Sequence, residues 1–385
     1  MLLFLGIAGL LVIPLGIYQY VIICRALNVF FGNKNLRIQK MTAAVIAAAS
    51  AVKSMNLFGV WALIVCYFTA VTLMSDLLRL ILKKAGHGAL QKHKVYRICD
   101  MAYRSGILAA AVTAAVIGYA YVNMHDVITT RYTVTANKPI REEGYQVVFV
   151  SDLHFGTTMD QEKLAEYCAR MEQEEPDLVV LGGDIVDETT TLKEVGEAFE
   201  TLAQINSTFG TYYVYGNHDK GRYSSDCDFT QEELADAIRK AGVCILEDDT
   251  VVLNDELAIS GRRDRSDAYM DEMSREPAQE LISAGEDAAV DQERYYIVAD
   301  HQPRDMDENA SAGYDLMLSG HTHAGQMWPV GLFTTLFDRG TVNYGQKSFG
   351  DMELIVSSGM AGWGYPLRTG KHSEFVVVNI AGGSK

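Results

Sequence analysis

The feature that most constrains this chain is an uncharged, largely apolar run at its start, Leu2–Ile23. A helix of that length crosses about 30 Å, which is the thickness of the hydrocarbon core of a bilayer. A secretory signal would carry Lys or Arg before the run and small residues at a cleavage site. Here the run follows Met1 directly, without a basic residue before it. We therefore expect an uncleaved transmembrane helix.

Three further apolar runs follow before the composition changes. Met41–Val52 is short, whereas Leu57–Ser75 and Ile107–Met124 are each long enough to span a membrane. None of the runs has Asp, Glu or His in its middle, and such residues mark transport or proton-relay pathways. Residues 1–124 are therefore expected to form an integral membrane anchor of about four helices, with a bacterial cell membrane as its lipid partner.

The basic loops predict the orientation of this anchor. Lys and Arg concentrate in residues 25–40 and 82–106, and both segments should be cytoplasmic because basic loops resist translocation. An even number of crossings must then separate them, so Met41–Val52 is expected to cross despite its shortness. The chain after Met124 would lie outside the cytoplasm. A version with three crossings would place it in the cytoplasm, and that alternative stays open.

The charge distribution separates the anchor from the rest of the chain. Residues 1–140 contain 14 Lys and Arg against 3 Asp and Glu, a net +11, whereas residues 141–385 contain 19 against 46, a net −27. A basic, apolar segment joined to an acidic one is typical of a membrane anchor with a soluble domain. The acidic domain argues against nucleic acid as a partner. We predict a linker at 125–142 and a domain at 143–385.

The pattern of the soluble part predicts an α/β fold. Tyr145–Val150, Leu178–Leu181 and Thr211–Tyr215 have the composition of buried strands, and amphipathic helical patterns separate them. Short strands between residues 243 and 261 lie close together, which indicates antiparallel meanders. Residues 266–293 are acidic and have little apolar periodicity, so they are expected to form a surface insertion.

Polar residues that can bind metals follow several of these strands. Considered alone, such an Asp is usually a helix N-cap, such a His is usually a surface residue, and the neighbouring glycines form turns. Their number makes a chance arrangement implausible. Mixed imidazole and carboxylate ligands suit Zn, Mn or Fe better than Ca, which prefers oxygen alone, and differ from a thiolate zinc site. The residues in question are Asp152, His154, Asp184, Asn217, His218, His301, His321 and His323.

The order of these residues resembles the motif pattern of the calcineurin-like metallophosphoesterase family. That pattern is D-x-H, G-D, G-N-H-[DE], H and G-H-x-H. The five blocks occur here as Asp152-Leu153-His154, Gly183-Asp184, Gly216-Asn217-His218-Asp219, His301 and Gly320-His321-Thr322-His323. The resemblance covers residues 143–382. It implies a four-layer α/β/β/α sandwich after the helical membrane region, and it implies two divalent metal ions, with Mn, Zn and Fe as the candidates.

The resemblance also implies a role for each residue. The first metal would be held by Asp152, His154 and His323, the second by Asn217, His301 and His321, and Asp184 would bridge the two. His218 would not be a ligand but would give a proton to the departing oxygen, with Asp219 as its supporting partner. A water activated between the metals would attack phosphorus in line with that oxygen.

Two segments are similar to one branch of this family. Residues 320–326 and 357–368 resemble bacterial membrane-associated phosphoesterases, including enzymes similar to UDP-diacylglucosamine pyrophosphatases. Arg368 is either a phosphate clamp or a surface arginine. Trp328 and Trp363 either line an apolar substrate groove or belong to the core.

These observations predict a membrane-anchored phosphoesterase. Its substrate would contain a phosphodiester, pyrophosphate or phosphomonoester bond and would be lipid-linked or part of the cell envelope. One alternative is a phosphomonoesterase or nucleotide diesterase that the anchor only localises. Another is a non-catalytic membrane sensor or assembly protein with a relic phosphoesterase domain. The complete ligand set argues against a relic, because drift would have removed at least one ligand.

Overall fold

The amino-terminal third of the chain is largely helical in the computed structural model, which describes residues 2–56, 59–84, 94–283 and 293–382. The chain divides into two units, Met1–Ala120 and Tyr121–Lys385. The helices of this third are α1 (Leu2–Phe31), α2 (Leu36–Lys53), α3 (Val60–Lys84), α4 (Lys94–Arg104) and α5 (Ile107–His125).

Three of the described helical segments are long and apolar enough to cross a membrane: Val12–Phe31, Val60–Lys84 and Ile107–His125. Helix α2 covers the predicted Met41–Val52 run but also includes Arg37, Lys40 and Lys53, and it is not among the three. Its crossing therefore stays a prediction. Part of the second basic loop, residues 85–93, lies outside the described residues.

Helix α3 continues past the predicted end of its apolar run at Ser75 and so contains Asp76. The Asp76 carboxylate accepts hydrogen bonds from Arg25 Nη1 at 2.7 Å and from the Tyr18 hydroxyl at 2.6 Å, and the Tyr103 hydroxyl also donates to it. A carboxylate in a membrane helix is costly unless it is paired. The arginine from α1 supplies that pairing, which the sequence of α3 alone does not reveal.

The second unit contains two six-stranded sheets within the described part of the chain. In spatial order the first sheet holds β1 (Val127–Thr135), β12 (Ser373–Ala381), β2 (Tyr145–Val150), β3 (Leu178–Leu181), β4 (Thr211–Tyr213) and β5 (Cys244–Ile245). The second sheet holds β10 (Gly345–Phe349), β11 (Met352–Val356), β9 (Leu316–Ser319), β8 (Tyr295–Ala299), β7 (Leu257–Gly261) and β6 (Asp249–Val252). Strands β2 to β5 run parallel, as do β7, β8, β9 and β11.

Helices of the second unit connect these strands. They are α6 (Gln161–Glu172), α7 (Leu192–Leu202), α8 (Gln231–Lys240), α9 (Ser266–Met270), α10 (Ala278–Ser283), α11 (Met306–Ala312) and α12 (Val330–Phe337). Helices α7 and α8 begin with capping boxes, in which Thr191 pairs with Glu194 and Thr230 with Glu233. Each box satisfies backbone N–H groups that the first helical turn leaves unpaired, which defines where the helix begins.

Three apolar cores establish the layers. Buried residues of α6, α7 and α8 pack on one face of the first sheet, and those of α10 and α11 pack on one face of the second. The third core lies between the sheets and includes Val147 and Phe149 of β2 with Ile297 of β8. The order is therefore helix, sheet, sheet, helix, which confirms the expected α/β/β/α sandwich.

The predicted linker at 125–142 is wrong, because half of it is strand β1. Its nine residues pair in parallel with β12, from Val127 opposite Ser373 to Thr135 opposite Ala381. The segment is rich in Val, Ile, Thr and Tyr, which favour strands. Because β1 is an edge strand with one partly exposed face, it contains polar residues, and its composition therefore resembles that of a linker.

The later part of the domain also differs from expectation. Strand β5 joins the first sheet in parallel with β4, so the predicted meander is reduced to the antiparallel pair of β6 and β7. The insertion expected at 266–293 contains α9 and α10, whose residues Asp267, Leu281 and Ile282 are buried. These helices are too short to produce a clear periodicity. Residues 284–292 lie outside the described part.

Candidate metal centre

The predicted ligands follow the carboxyl ends of parallel strands in both sheets, the position where open α/β sheets bind ligands. In the first sheet β2 precedes Asp152 and His154, β3 precedes Asp184, and β4 precedes Asn217; in the second sheet β8 precedes His301, and β9 precedes His321 and His323. Parallel strands of two facing sheets thus bring distant segments of the chain to one place.

The side chains form two groups of potential metal ligands. In each group the ligand atoms all lie within 4.8 Å of one another; the groups are Asp152, His154 and His323, and Asp184, His301 and His321. Asn217 Oδ1 adjoins the second group, at 2.8 Å from His321 Nδ1 and 3.2 Å from His301 Nε2. The structure thus brings all seven predicted ligands together, in the division that the family resemblance implies.

One oxygen of Asp184 faces both groups. Asp184 Oδ2 lies 3.2 Å from His301 Nε2 in the second group and 3.8 Å from His154 Nε2 in the first. The other oxygen, Oδ1, accepts a hydrogen bond of 2.8 Å from the His218 backbone N–H. A shared carboxylate oxygen is what a pair of ions about 3.5–4 Å apart requires, and Asp184 is placed to supply it.

Burial makes this cluster unfavourable unless positive charge neutralises it. Asp152 and His154 are fully buried, and Asp184 is 1% exposed. Both ring nitrogens of His154 lack a hydrogen-bond partner within the described ranges, although the Asp187 carboxylate lies 3.2 Å from Nδ1. Buried charges and unpaired polar atoms are costly unless they pair or bind metals. The donor set fits divalent cations.

The histidine pKa values point in the same direction. Burial, followed by the positive charge of His301, lowers the pKa of His321 to about 4, and burial lowers the pKa of His323 well below its usual value. Both rings are thus neutral near pH 7 and keep a lone pair for a metal. Burial would also lower the pKa of His301, but the Asp184 carboxylate outweighs it and raises that pKa. The cluster attracts positive charge.

The backbone around the ligands is strained and closely packed. Gly216 and Gly320 allow the strand ends to approach, since a Cβ at either position would lie 2.2 Å from a carboxylate oxygen of Asp184 or Asp152, respectively. Left-handed conformations of residues other than glycine cost energy and concentrate at functional sites. Positive φ angles occur at Asp152 (51°), His154 (40°), Asp184 (51°), His321 (69°) and His323 (48°).

Asp219 does not support His218, so that part of the prediction is wrong. Its carboxylate accepts hydrogen bonds from four backbone N–H groups, those of Asp184, Ile185, Val186 and Gly216. These bonds tie the turn after β3 to the turn after β4. Asp219 thus positions the bridging ligand, and it does so from a fully buried site.

The partner of His218 is Glu188, which sequence reasoning missed. His218 Nδ1 lies 3.0 and 3.1 Å from the two Glu188 oxygens. Burial would lower the pKa of His218, but the bond to Glu188 and the charge of Asp184 outweigh it and raise that pKa. The only signal in the sequence is an Asp-Glu pair, Asp187-Glu188, shortly after Asp184.

Arg368 is not a phosphate clamp. It is fully buried, and its guanidinium donates to the backbone carbonyls of His323, Ser358 and Ala361. Burial lowers the pKa of Arg368 to about 10, although the negative charge of Asp152 opposes this effect. Its role is to hold the ligand-bearing loop of His323 against the segment 357–361.

Two aromatic rings flank His218. The ring centroids of Tyr223 and Trp363 lie 4.8 and 5.0 Å from that of His218, and Trp363 is half-buried. Trp363 thus borders the site, which agrees with the prediction that it lines a substrate groove and not with the alternative that it belongs to the core. Trp328 is 62% exposed and does not belong to the core.

Comparison with known proteins agrees with this geometry. A family profile described as calcineurin-like phosphoesterase matches residues 145–325, the range that carries all the predicted metal ligands. The chain contains a calcineurin-like metallophosphoesterase domain. The expected family is thereby confirmed, as is the expectation of a metal-dependent hydrolase. The narrower likeness to UDP-diacylglucosamine pyrophosphatases stays a prediction, and so does the identity of the metals.

Several similar proteins are described as metallophosphoesterases or phosphodiesterases, and one of them is described as a transmembrane protein. The chain is 28% identical over 317 residues to a metallophosphoesterase of Campylobacter jejuni, covering 81% of this chain and 78% of that protein. It is 26% identical over 334 residues to a bovine transmembrane protein with metallophosphoesterase domain, covering 82% and 70%. Over 244 residues it is 25% identical to the phosphodiesterase YaeI of Escherichia coli, covering 61% and 82%. With three described helices long and apolar enough to cross a membrane, the chain is a membrane protein.

Proposed function

We propose that this metallophosphoesterase hydrolyses a phosphodiester or pyrophosphate bond in a lipid-linked or cell-envelope substrate. The observation that carries the proposal is the position of Asp184 Oδ2, which faces both groups of ligands. Two bound divalent ions would neutralise the phosphoryl oxygens and lower the pKa of the attacking water. The relative described as a phosphodiesterase supports the choice of bond.

The chain itself supplies the proton. Glu188 holds His218 through Nδ1, which leaves Nε2 for the departing oxygen. The raised pKa of His218 keeps the ring protonated at a higher pH, as a general acid requires. Tyr223 and Trp363 pack near the ring and limit its movement. A complete ligand set with a supported acid argues against a relic domain.

The membrane connection supports a lipid-linked substrate. Helix α5 ends at His125 and strand β1 begins at Val127, so Asp126 alone separates an apolar helix from the catalytic sheet. A domain joined by one residue remains close to the end of its membrane helix. It can therefore reach phosphoester groups at the bilayer surface, while soluble substrates would gain nothing from this attachment.

We also propose that α2 crosses the membrane. Gln39 near the start of α2 bonds to the carbonyls of Gly32 and Lys34, while Ala51 near its end packs on Gly16 of α1. Helix α2 thus returns along α1 over about 18 Å. The ion pair between Arg25 and Asp76 then joins the carboxyl-terminal parts of α1 and α3. Two parallel helices need a return between them, which supports four crossings and an extracytoplasmic catalytic domain.

The test uses the full chain in lipid nanodiscs. It would be assayed with Mn²⁺ against bis(p-nitrophenyl) phosphate, p-nitrophenyl phosphate, phosphatidic acid and a UDP-linked lipid, with Asp184→Asn as the control for contaminating activity. We expect hydrolysis of the diester and of at least one lipid substrate. Activity on p-nitrophenyl phosphate alone would contradict the proposed bond. Absence of any activity in the metal-loaded protein would contradict the proposed hydrolysis of a phosphoester.

A further inference from the structure

Helix α12 is an apolar segment whose large side chains are exposed, although Gly331 packs on the backbone of residues 324–325. Its sequence, Val-Gly-Leu-Phe-Thr-Thr-Leu-Phe, contains no charge, and none of its residues is buried. Phe333 is 53% exposed, Leu336 is 56% exposed and Phe337 is 80% exposed, and Trp328 lies two residues before the helix at 62%. A soluble domain rarely exposes a contiguous apolar patch of this kind, and such patches mark interaction sites.

The segment Trp328–Phe337 is attached directly to the metal centre. It begins five residues after the predicted ligand His323, and the Trp328 backbone N–H donates to Thr369 Oγ1 at 2.8 Å. The intervening Gln326 anchors the same region, because its Nε2 donates to carbonyls of the 363–367 loop. The apolar segment and the loop carrying Trp363, beside His218, are thus held together.

The end of the last membrane helix contacts that same loop. Asn123 Nδ2 of α5 donates to the carbonyl of Arg368 at 3.0 Å. A Cβ at Gly362 would lie 2.3 Å from the Met124 side chain, which shows how closely the two segments pack. The segment 359–371 therefore touches the final turn of α5 on one hand and supports Trp328 on the other. The 359–371 segment thus links the exposed patch to the end of the last apolar helix.

We propose that Trp328–Phe337 inserts into the interfacial layer of the bilayer that α5 crosses. The eight residues of α12 extend about 12 Å, too short to span but suited to lie in the interface. Tryptophan is enriched at that depth. The polar pair of Arg304 with Asp338, 2.6 Å apart, marks the end of the apolar stretch.

Lipid fits this patch better than a protein partner does. A protein interface usually surrounds its apolar centre with polar and charged residues, whereas α12 itself offers only two threonines, whose hydroxyls bond to the helix's own carbonyls. The bilayer contact would also bring His323, five residues before Trp328, toward the headgroups. The proposal concerns this contact alone and holds whichever phosphoester is hydrolysed.

The test measures the depth of Trp328 in the full chain. The variant Trp61→Phe/Trp363→Phe retains Trp328 as its sole tryptophan and would be placed in nanodiscs with or without dibrominated acyl chains. We expect bromine to reduce its fluorescence roughly twofold, since the indole would lie in the interface. The matched control replaces all three tryptophans with Phe and adds Val252→Trp, an exposed residue on edge strand β6; its fluorescence should not change.

Two outcomes would overturn the proposal. Equal Trp328 fluorescence in both lipids, with an emission maximum typical of water, would place the segment in solvent. Equal fluorescence with a blue-shifted maximum would mean that protein, either a second copy or another unit of the chain, covers it. The unmodified chain provides a check that needs no substitution. A photoactivatable phospholipid should form adducts within residues 328–337, and adducts on α5 without any there would refute the insertion.

Discussion

His218 Nδ1 lies 3.0 Å from Glu188 Oε1, and this pair determines how the site handles its proton. One ring nitrogen is fixed by the carboxylate, and the other remains for chemistry. The two side chains are only slightly exposed, at 12% and 10%, so their interaction is not strongly screened by water. Glu188 is therefore a positioning residue whose effect is exerted through His218.

Replacing Glu188 with Gln should move the pH profile. The Glu188 carboxylate is one of the groups that raise the pKa of His218 against burial, so its removal lowers that pKa. A general acid must be protonated, and activity is lost as pH rises through its pKa. The alkaline limb of kcat should therefore shift to lower pH, with kcat at pH 7 reduced about tenfold.

The pH profile of Glu188→Gln would be measured with bis(p-nitrophenyl) phosphate. Glu197→Gln, which removes a partly exposed carboxylate paired with the exposed Lys193, serves as the matched control. A lower kcat with an unchanged alkaline limb would show that Glu188 acts only on the structure and does not tune His218.

The sequence predicted the metal ligands better than it predicted the residues that position them. Ligands such as Asp152 and His154 occur in short blocks beside strand ends, so local sequence identifies both the element and the chemistry. Most partners of Asp219 and Arg368 are backbone groups in other loops, such as those of Ile185 and His323, and no local pattern encodes them. Glu188 meets His218 across 30 positions for the same reason.

The fold, too, was predicted only where the local sequence pattern is clear. Buried strands such as β2 are recognisable because every residue except Gln146 is apolar or aromatic, and the capping boxes of α7 and α8 mark where helices begin. Edge strand β1 has a mixed surface and resembles a linker. Helix α12 was missed because its apolar residues face outward, contrary to the pattern of a helix that packs on a core.

Asp184→Asn and His218→Asn should separate metal binding from proton transfer. The first removes the charge that faces both ligand groups and should weaken binding of both metals. The second should retain two metals per chain while kcat falls about 10²–10⁴-fold, the usual range for general acid catalysis. Elemental analysis and steady-state kinetics on the full chain measure the two effects. Loss of a metal in His218→Asn would show that His218 is a ligand.

Asp219→Asn should destabilise the catalytic domain. The amide that replaces the carboxylate brings an NH₂ group toward backbone N–H donors, so at least one of the four bonds is lost. An unsatisfied buried donor costs about 1–3 kcal/mol in free energy of unfolding. Thermal unfolding monitored by near-ultraviolet circular dichroism would report this loss. Asp236→Asn, at an exposed position, should leave the transition unchanged.

Arg368→Lys should affect stability and metal content more than substrate affinity. Lysine cannot reproduce the planar contacts that the guanidinium makes with the carbonyls of His323, Ser358 and Ala361. We expect a lower melting temperature and reduced occupancy of the metal site that includes His323, with KM unchanged once metal is saturating. A raised KM with normal stability and metal content would instead restore the role of a phosphate clamp.

The orientation of the chain decides which phosphoesters the site can reach. If both basic segments, 25–40 and 82–106, are cytoplasmic, α2 must cross and Ile107–His125 makes the fourth crossing. The antiparallel packing of Ala51 against Gly16 supports that return. Alkaline phosphatase fused after Lys385 should therefore be active, because it folds only outside the cytoplasm.

A matched fusion after Lys53 reports the end of α2 and should also be active, whereas a fusion after Lys84 should be inactive. A bright green fluorescent protein after Lys385, with inactive phosphatase at the same position, would place the catalytic domain in the cytoplasm and exclude an envelope substrate.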